Sequence, residues 1–445
     1  MHARLYYDGE INKMKKLSLA TACFAGIAGL ASAQTSTGPL SEVSKTLNDG
    51  GFYPNATFVQ LGLASPDQGQ ETGASEFISI LDMGADLDLG KMIGLKGTSL
   101  HFQEMVIPKI TNLNYGNQVG DVIGGNPGPY IPWAAHLQRF TLEQKFLNEK
   151  AFIEGGRSNA GDYFALAKCD EQFACISSTT MIQKNAGFAP PPYANWSARA
   201  GYNFTPAWRV QGGFWKYDPA FPFSNGWESY HYGVPSGNVY LADVSYRTDP
   251  HTSLYPSAYE AMFYRNTLSQ SDPLTGQVTD GNSGIFLSAK QTFWRKNQNT
   301  QSTSLSAFIA DVTEFNGRTG DGLRDNLDAG FTVQGLFPNR PFDSYGLKFT
   351  WVRLTSDEQA YLQKAQLAST GSPYTVGPNE YGFGTDATIV LTPSLIFQPY
   401  ATYILNSNAW ASPTSTHRPH DGFNVGFTFV ALIGQMAGLG HYNYP

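Results

Sequence analysis

Two kinds of residue are scarce in this chain of 445 residues, and a third feature is absent beyond its N-terminal region. Charged residues make up 15%, against about 25% in an ordinary soluble domain, which argues against a solvated enzyme surface. Cysteine occurs three times, too few for a disulfide scaffold. Beyond the N-terminal region no apolar run is long enough for a membrane helix. The net charge of −7 gives no basic surface for nucleic acid. No Walker-type loop and no Gly-x-Ser-x-Gly elbow is found, so neither phosphate-driven work nor serine hydrolase chemistry has its signature. His417 and His420 have a metal-compatible spacing but sit in a Pro-containing loop. Without further ligands nearby, no metal and no cofactor is expected.

What is present is glycine (46), tyrosine (24), phenylalanine (29) and tryptophan (8), with a hydrophobic fraction of only 41%. A barrel with lipid against alternate residues and water against the others needs this mixture. Lys15 and Lys16, the apolar run Leu17 to Leu30 and the small-residue site Ala31-Ser32-Ala33 read as an export signal. Residues 1–33 are therefore expected to be a leader, with its start at Met14. Residues 34–50 form an N-terminal segment in which Leu40 to Asn48 has helical character. Residues 51–445 form one domain, because no linker-like stretch interrupts them.

Period-two alternation recurs in about sixteen segments of roughly ten residues, the length of a tilted membrane strand. Connections of two or three residues, such as Asn148-Glu149, Thr205-Pro206 and Thr392-Pro393-Ser394, alternate with long ones, such as 108–135, 158–193, 218–237 and 354–379. The predicted fold is an all-β, antiparallel transmembrane barrel with short periplasmic turns and long extracellular loops. Only helices and closed barrels satisfy every backbone group in lipid. The alternation sets Phe140, Leu142 and Phe146 against Arg139, Thr141, Glu143 and Lys145. It likewise sets Trp196, Ala198 and Ala200 against Ser197 and Arg199, and Phe423, Val425, Phe427 and Phe429 against Asn424, Gly426 and Thr428. A ring of this many strands is too wide to fill with side chains, so the polar face should line a channel. Tyr202, Phe204, Trp208, Phe293, Trp294, Trp351 and Tyr403 lie near strand ends and are candidates for interfacial girdles.

Three stretches resemble the carbohydrate-selective porin family. One runs from Leu87-Asp88-Leu89-Gly90-Lys91 to Leu100-His101-Phe102. The second joins Gln291-Thr292-Phe293-Trp294-Arg295 to Gly335-Leu336-Phe337-Pro338-Asn339-Arg340-Pro341-Phe342-Asp343. The third covers Glu380, Leu391-Thr392-Pro393 and Phe397-Gln398-Pro399-Tyr400. The resemblance implies residence in a Gram-negative outer membrane, surrounded by its lipid, and passive uptake of small sugars. A general pore, or one for organic acids or polyols, is the alternative. A homotrimer is the assembly often found for large porins, although no strand is flat and small-residue enough to mark its interface.

A sugar channel needs hydrogen-bonding charged groups and flat rings at its waist, and its binding must stay weak enough to release the solute. By alternation the lumen candidates are Glu143, Lys145, Arg199, Arg209, Gln211, Asp243 and Trp215. Glu154, Arg157 and Asp162 join them where the fifth strand enters its long loop, with Arg157 the foremost. Pairing with an opposite charge on the next strand is the structural alternative for each, and Trp215 fits a girdle as well as the lumen. Cys169 and Cys175, separated by a short loop in an oxidising compartment, are expected to pair.

Overall fold

The computed structural model describes residues 38–125, 135–165, 182–188, 193–217, 225–227, 237–315 and 322–439. The expected leader and the Cys169–Cys175 pair lie outside these residues. Sixteen strands close in sequence order, each antiparallel to its neighbours, with the last pairing back to the first. They are β1 (Phe52–Ser65), β2 (Ala74–Asp88), β3 (Thr98–Ile110), β4 (Ala135–Phe146), β5 (Ala151–Ser158), β6 (Asn195–Asn203), β7 (Trp208–Tyr217) and β8 (Gly237–Arg247). The ring continues with β9 (Ser257–Ser271), β10 (Val278–Arg295), β11 (Ser304–Glu314), β12 (Leu323–Gln334), β13 (Ser344–Leu354), β14 (Asn379–Thr392), β15 (Leu395–Leu405) and β16 (Gly422–Ala431). Seven β1–β16 pairs, from Phe58 with Ala431 to Ala64 with Val425, complete the closure and leave no sheet edge exposed to lipid. The N-terminal helix forms over Ser41–Asp49. It lies at the short-turn end, where Leu40 donates to the carbonyl of Ala437 just past the last strand.

The outer wall is apolar as the alternation requires. Phe140, Leu142, Trp196, Phe214, Phe263 and Phe383 each expose 43–52% of their surface, while Arg139, Glu143 and Arg199 on the opposite faces are buried. The girdle candidates Phe204, Trp208, Phe293 and Trp294 are all about half exposed near the short-turn ends of their strands.

Two expectations need correction. The ninth connection is not a long loop, because β9 and β10 run on as a hairpin beyond the neighbouring strands and leave only 272–277 between them. Nor is the inner face polar throughout. On β1 the inward side chains are Val59, Leu61 and Leu63, and on β8 they include Val239 and Leu241, all at most 3% exposed. These apolar inner patches lie where long loops fold into the barrel. Tyr115 and Val119 of the β3–β4 loop cover the first patch, and Phe164, Ile182, Ala186 and Phe188 of the β5–β6 loop cover the second. The loops thus bury apolar surface inside the barrel, which fixes them there and narrows the bore.

Glycines on the inner face have a second role. A side chain on Gly201 would collide with the Phe152 ring, one on Gly284 with Tyr264, one on Gly330 with Phe308 and one on Gly426 with Tyr400. Each bulky ring therefore packs over the glycine of the next strand, a place that any larger residue would take from it.

Candidate functional site

Among the described residues a dense polar constellation inside the barrel spans β4 to β7 and centres on Glu154. Its Oε1 accepts from Arg139 Nη2 at 2.6 Å, from the Thr141 hydroxyl at 2.6 Å and from the Tyr163 hydroxyl at 2.9 Å. Its Oε2 accepts from Arg199 Nε at 2.8 Å and also from Arg199 Nη2. Arg199 extends the network to Glu143 at 3.3 Å and to Gln211 Oε1 at 3.1 Å, and Lys145 lies 3.6 Å from Glu143. A carboxylate held by two guanidinium groups and two hydroxyls is fixed in orientation, which gives the wall a permanent pattern of donors and acceptors.

The strand register explains this grouping. Glu143, Glu154 and Arg199 are direct cross-strand partners on β4, β5 and β6, and Gln211 of β7 pairs directly with Gly201 and lies diagonally next to Arg199. Tyr163 comes from the loop. Asn159 caps a single turn over Ala160–Asp162 by accepting from the Gly161 amide at 2.8 Å, and Gln211 Nε2 donates to the Tyr163 carbonyl at 3.0 Å. The Tyr163 ring then lies 3.9 Å from the Arg199 guanidinium and 5.4 Å from that of Arg139. The Phe152 ring lies 4.5 Å from Arg199 and 5.7 Å from Arg209. Burial raises the Asp162 carboxyl above its usual range, with Arg139 and Gln138 acting in the opposite direction.

Glu143, Lys145, Glu154, Arg199 and Gln211 are thus brought together. Arg209 faces the lumen one layer nearer the short turns, donating to Asn203 at 2.9 Å. Asp243 faces inward on β8 beside Gln211. Trp215 also points inward but is 2% exposed. Phe164 packs edge-on against it at 5.5 Å and Ser158 accepts its indole N–H at 3.1 Å, so it supports the loop and is not a girdle residue.

Arg157 lies elsewhere. Its strand partners are Phe140 and Trp196, both on the lipid-facing wall, and its guanidinium lies 5.6 Å from the Trp196 ring. The consecutive glycines at 155 and 156 hide the alternation just where it decides which way Arg157 points. Sequence reasoning also left out Arg139, Phe152 and Tyr163. Arg139 shares the parity of Glu143 and was legible as a candidate, whereas nothing periodic marks a loop tyrosine.

A second inner network holds the β3–β4 loop. Asp121 is fully buried and accepts from the Gly124 amide at 2.7 Å, the Gly125 amide at 3.1 Å, the Ser407 hydroxyl at 2.6 Å and Gln68. Half a turn of the ring from Glu154, Asp328 accepts from Thr350 at 2.6 Å and lies 4.0 Å from Lys348.

A closed barrel with an apolar outer wall and a charged bore narrowed by inward loops defines a porin, a channel through the outer membrane. The chain belongs to the family described as carbohydrate-selective porin, OprB family, whose profile matches residues 79–427. It is similar to Porin B of Pseudomonas aeruginosa, with 24% identity over 299 residues, 62% of this chain and 64% of that relative's length. Among solved structures it resembles the high-pH structure of Pseudomonas putida OprB with a TM-score of 0.72 and 18% identity over 87% of this chain and 95% of that one. The low-pH structure of the same protein gives a TM-score of 0.54 and 14% identity over 89% and 97%.

Proposed function

We propose that this porin carries small sugars passively into the periplasm, with the Glu154 constellation as the selective contact in its bore. The observation behind this reading is the Tyr163 ring held over the Arg139–Glu154–Arg199 lattice. Charged donors and acceptors in a fixed pattern suit the hydroxyls at the edge of a pyranose, and a ring face suits its C–H surface. Because these groups already satisfy one another, a sugar exchanges bonds with the lattice instead of filling empty ones, and its affinity stays low enough for release. The family description, carbohydrate-selective porin, supports this reading.

Single-channel current in a planar bilayer, titrated with glucose, tests it. Reversible current reduction that saturates is the expected result, and a current indifferent to sugar counts against the proposal. The constellation carries more basic than acidic groups, three (Arg139, Arg199, Lys145) against two (Glu143, Glu154), which favours organic anions as the second reading. Liposome swelling with matched sugars, polyols and organic acids separates the two.

A further inference from the structure

The wall that faces the Glu154 constellation across the bore is built by β12, β13 and β14, half a turn away in the ring. Alternation puts Asp328, Lys348, Thr350 and Asp386 on its inner face, with Leu347 and Phe383 turned outward and 66% and 52% exposed. The register gathers the charges. Asp328 pairs with Thr350, Lys348 with Gly384 and Asp386 with Gly346. The two glycines make room for the longer side chains. A Cβ at Gly384 would lie 3.7 Å from the Lys348 Cε, and one at Gly346 would fall on the Asp386 carboxylate. The Lys348 ammonium lies 4.0 Å from Asp328 Oδ1, and the Thr350 hydroxyl donates to the same oxygen at 2.6 Å. Lys348 is therefore bracketed by one acid on each neighbouring strand. The height matches as well. Glu154 and Arg199 stand fourth and fifth from the short-turn ends of β5 and β6. Lys348 is fifth from that end of β13, and Asp328 and Asp386 are seventh from those of β12 and β14.

The two walls differ in sign. Among the described inward side chains within eight residues of the short turns, Arg139, Lys145, Arg199 and Arg209 outnumber Glu143 and Glu154 by two on β4 to β7. On β12 to β14, Asp328 and Asp386 outnumber Lys348 by one. We infer that Asp328 and Asp386 are specificity-determining residues: they hold negative charge opposite the basic wall and so keep the bore from favouring organic anions over neutral sugars. This inference rests on the sugar reading proposed above and names the residues that enforce it. A unit charge about 10 Å away through water changes the local population of a monovalent ion about two-fold, and low-dielectric walls focus that field along the path of every solute. The basic wall alone would therefore concentrate small anions. An uncharged hexose is indifferent to the sum of charges and responds only to the pattern of hydrogen-bonding groups. Neither carboxylate has to touch the solute, because the effect is carried by the field across the bore.

The test is the reversal potential of the barrel in a planar bilayer under a potassium chloride gradient near 0.1 M, where the Debye length is about 10 Å. Folding of every variant is checked by heat-dependent gel mobility. Asp328→Asn and Asp386→Asn should each raise the permeability of chloride over potassium about two-fold, and gluconate should gain on glucose in liposome swelling. Asp386→Glu keeps the charge and should behave as wild type. Asp328→Asn combined with Lys348→Gln removes one charge of each sign and should return the ratio to the wild-type value, which disruption of the wall would not do. Unchanged ratios in both asparagine variants overturn the inference, as does a double variant as anion-selective as Asp328→Asn alone. Should Asp328→Asn fail to fold, Asp386→Asn and Asp386→Glu decide by themselves. The ionic ratios are measured without sugar. If glucose leaves the current unchanged while these ratios shift, the sugar reading falls and the role of the two carboxylates in charge selection holds.

Discussion

The carboxylate of Glu380, at the start of β14, accepts the backbone amide of Ile123 at 2.7 Å, joining the inward β3–β4 loop to the far wall of the barrel. The same carboxylate accepts the Val122 amide at 3.3 Å and the side chain of Asn408. Buried hydrogen bonds of this kind contribute roughly 0.5–1.5 kcal/mol each. Glu380→Ala should free the loop while the barrel, held by its sixteen-strand ladder, stays closed. The expected outcome is a larger and noisier single-channel conductance with unchanged heat-dependent gel mobility. A conductance equal to wild type would show that the apolar contacts of Val122 and Ile123 suffice by themselves.

Asp121 makes docking of this loop pH-dependent. Burial pushes its carboxyl up to about 6, with the donors Ser407, Gly124 and Gly125 pulling against that. Once the loop leaves the wall the group returns to about 3.9, so the docked form binds the proton more tightly. Through this group docking should strengthen as pH falls through 6 and gain at most about 3 kcal/mol by pH 4. Hydrogen exchange of residues 116–125, corrected for intrinsic rates, should be slower near pH 5 than near pH 8. Faster exchange at the acid end would contradict this sign.

In the bore, Glu154→Gln removes the carboxylate shared by Arg139 and Arg199. Both cations stay buried with less compensation, a change that costs about 3–5 kcal/mol when a buried pair is broken, and the wall gains one positive charge. Reversal potentials in a salt gradient should shift towards anion selectivity, and the glucose concentration that halves the current should rise about ten-fold. Glu154→Asp should fall between the two if orientation of the carboxylate matters.

The architecture was legible because alternation survives wherever one face meets lipid. The expected count of about sixteen strands and the short connections after β4, β6 and β14 are found, whereas β9 and β10 rise above the apolar band. There Thr267–Gln270 and Val278–Asp280 are mostly polar on both faces, so the pattern vanishes although the pairing continues. The helix Ser356–Thr370 in the β13–β14 connection was passed over, yet Thr355 and Glu358 stand at capping-box spacing and Thr355 does accept from the Glu358 amide at 3.2 Å. At the site, parity located Glu143, Lys145, Arg199, Arg209, Gln211 and Asp243 on the inner wall. It could not tell that Trp215 would be covered by Phe164, because loop placement depends on contacts distant in sequence. It also failed at Arg157, where two glycines carry no side chain to alternate.

The glycine seats offer the most direct check on how the bore is kept open. A Cβ at Gly201 would lie 2.5 Å from the Phe152 ring and 3.0 Å from the Gln211 Cβ, closer than packed carbons tolerate. The Gln211 contact is wall against wall and cannot yield, so in Gly201→Ala the Phe152 ring must swing off the wall into the lumen. That movement also disturbs the face it presents to Arg199 at 4.5 Å. Overpacking of this kind costs about 1–3 kcal/mol, which the barrel can absorb, so the visible effect should be a lower conductance. Gly155→Ala is the control, since a Cβ there meets nothing nearer than 3.8 Å and points to the lipid side. If both alanine variants conduct like wild type, the ring has room to lie elsewhere along the wall. If only Gly201→Ala conducts poorly, and a further Phe152→Ala change restores the current, the flat packing of Phe152 over Gly201 is what keeps that stretch of the channel wide.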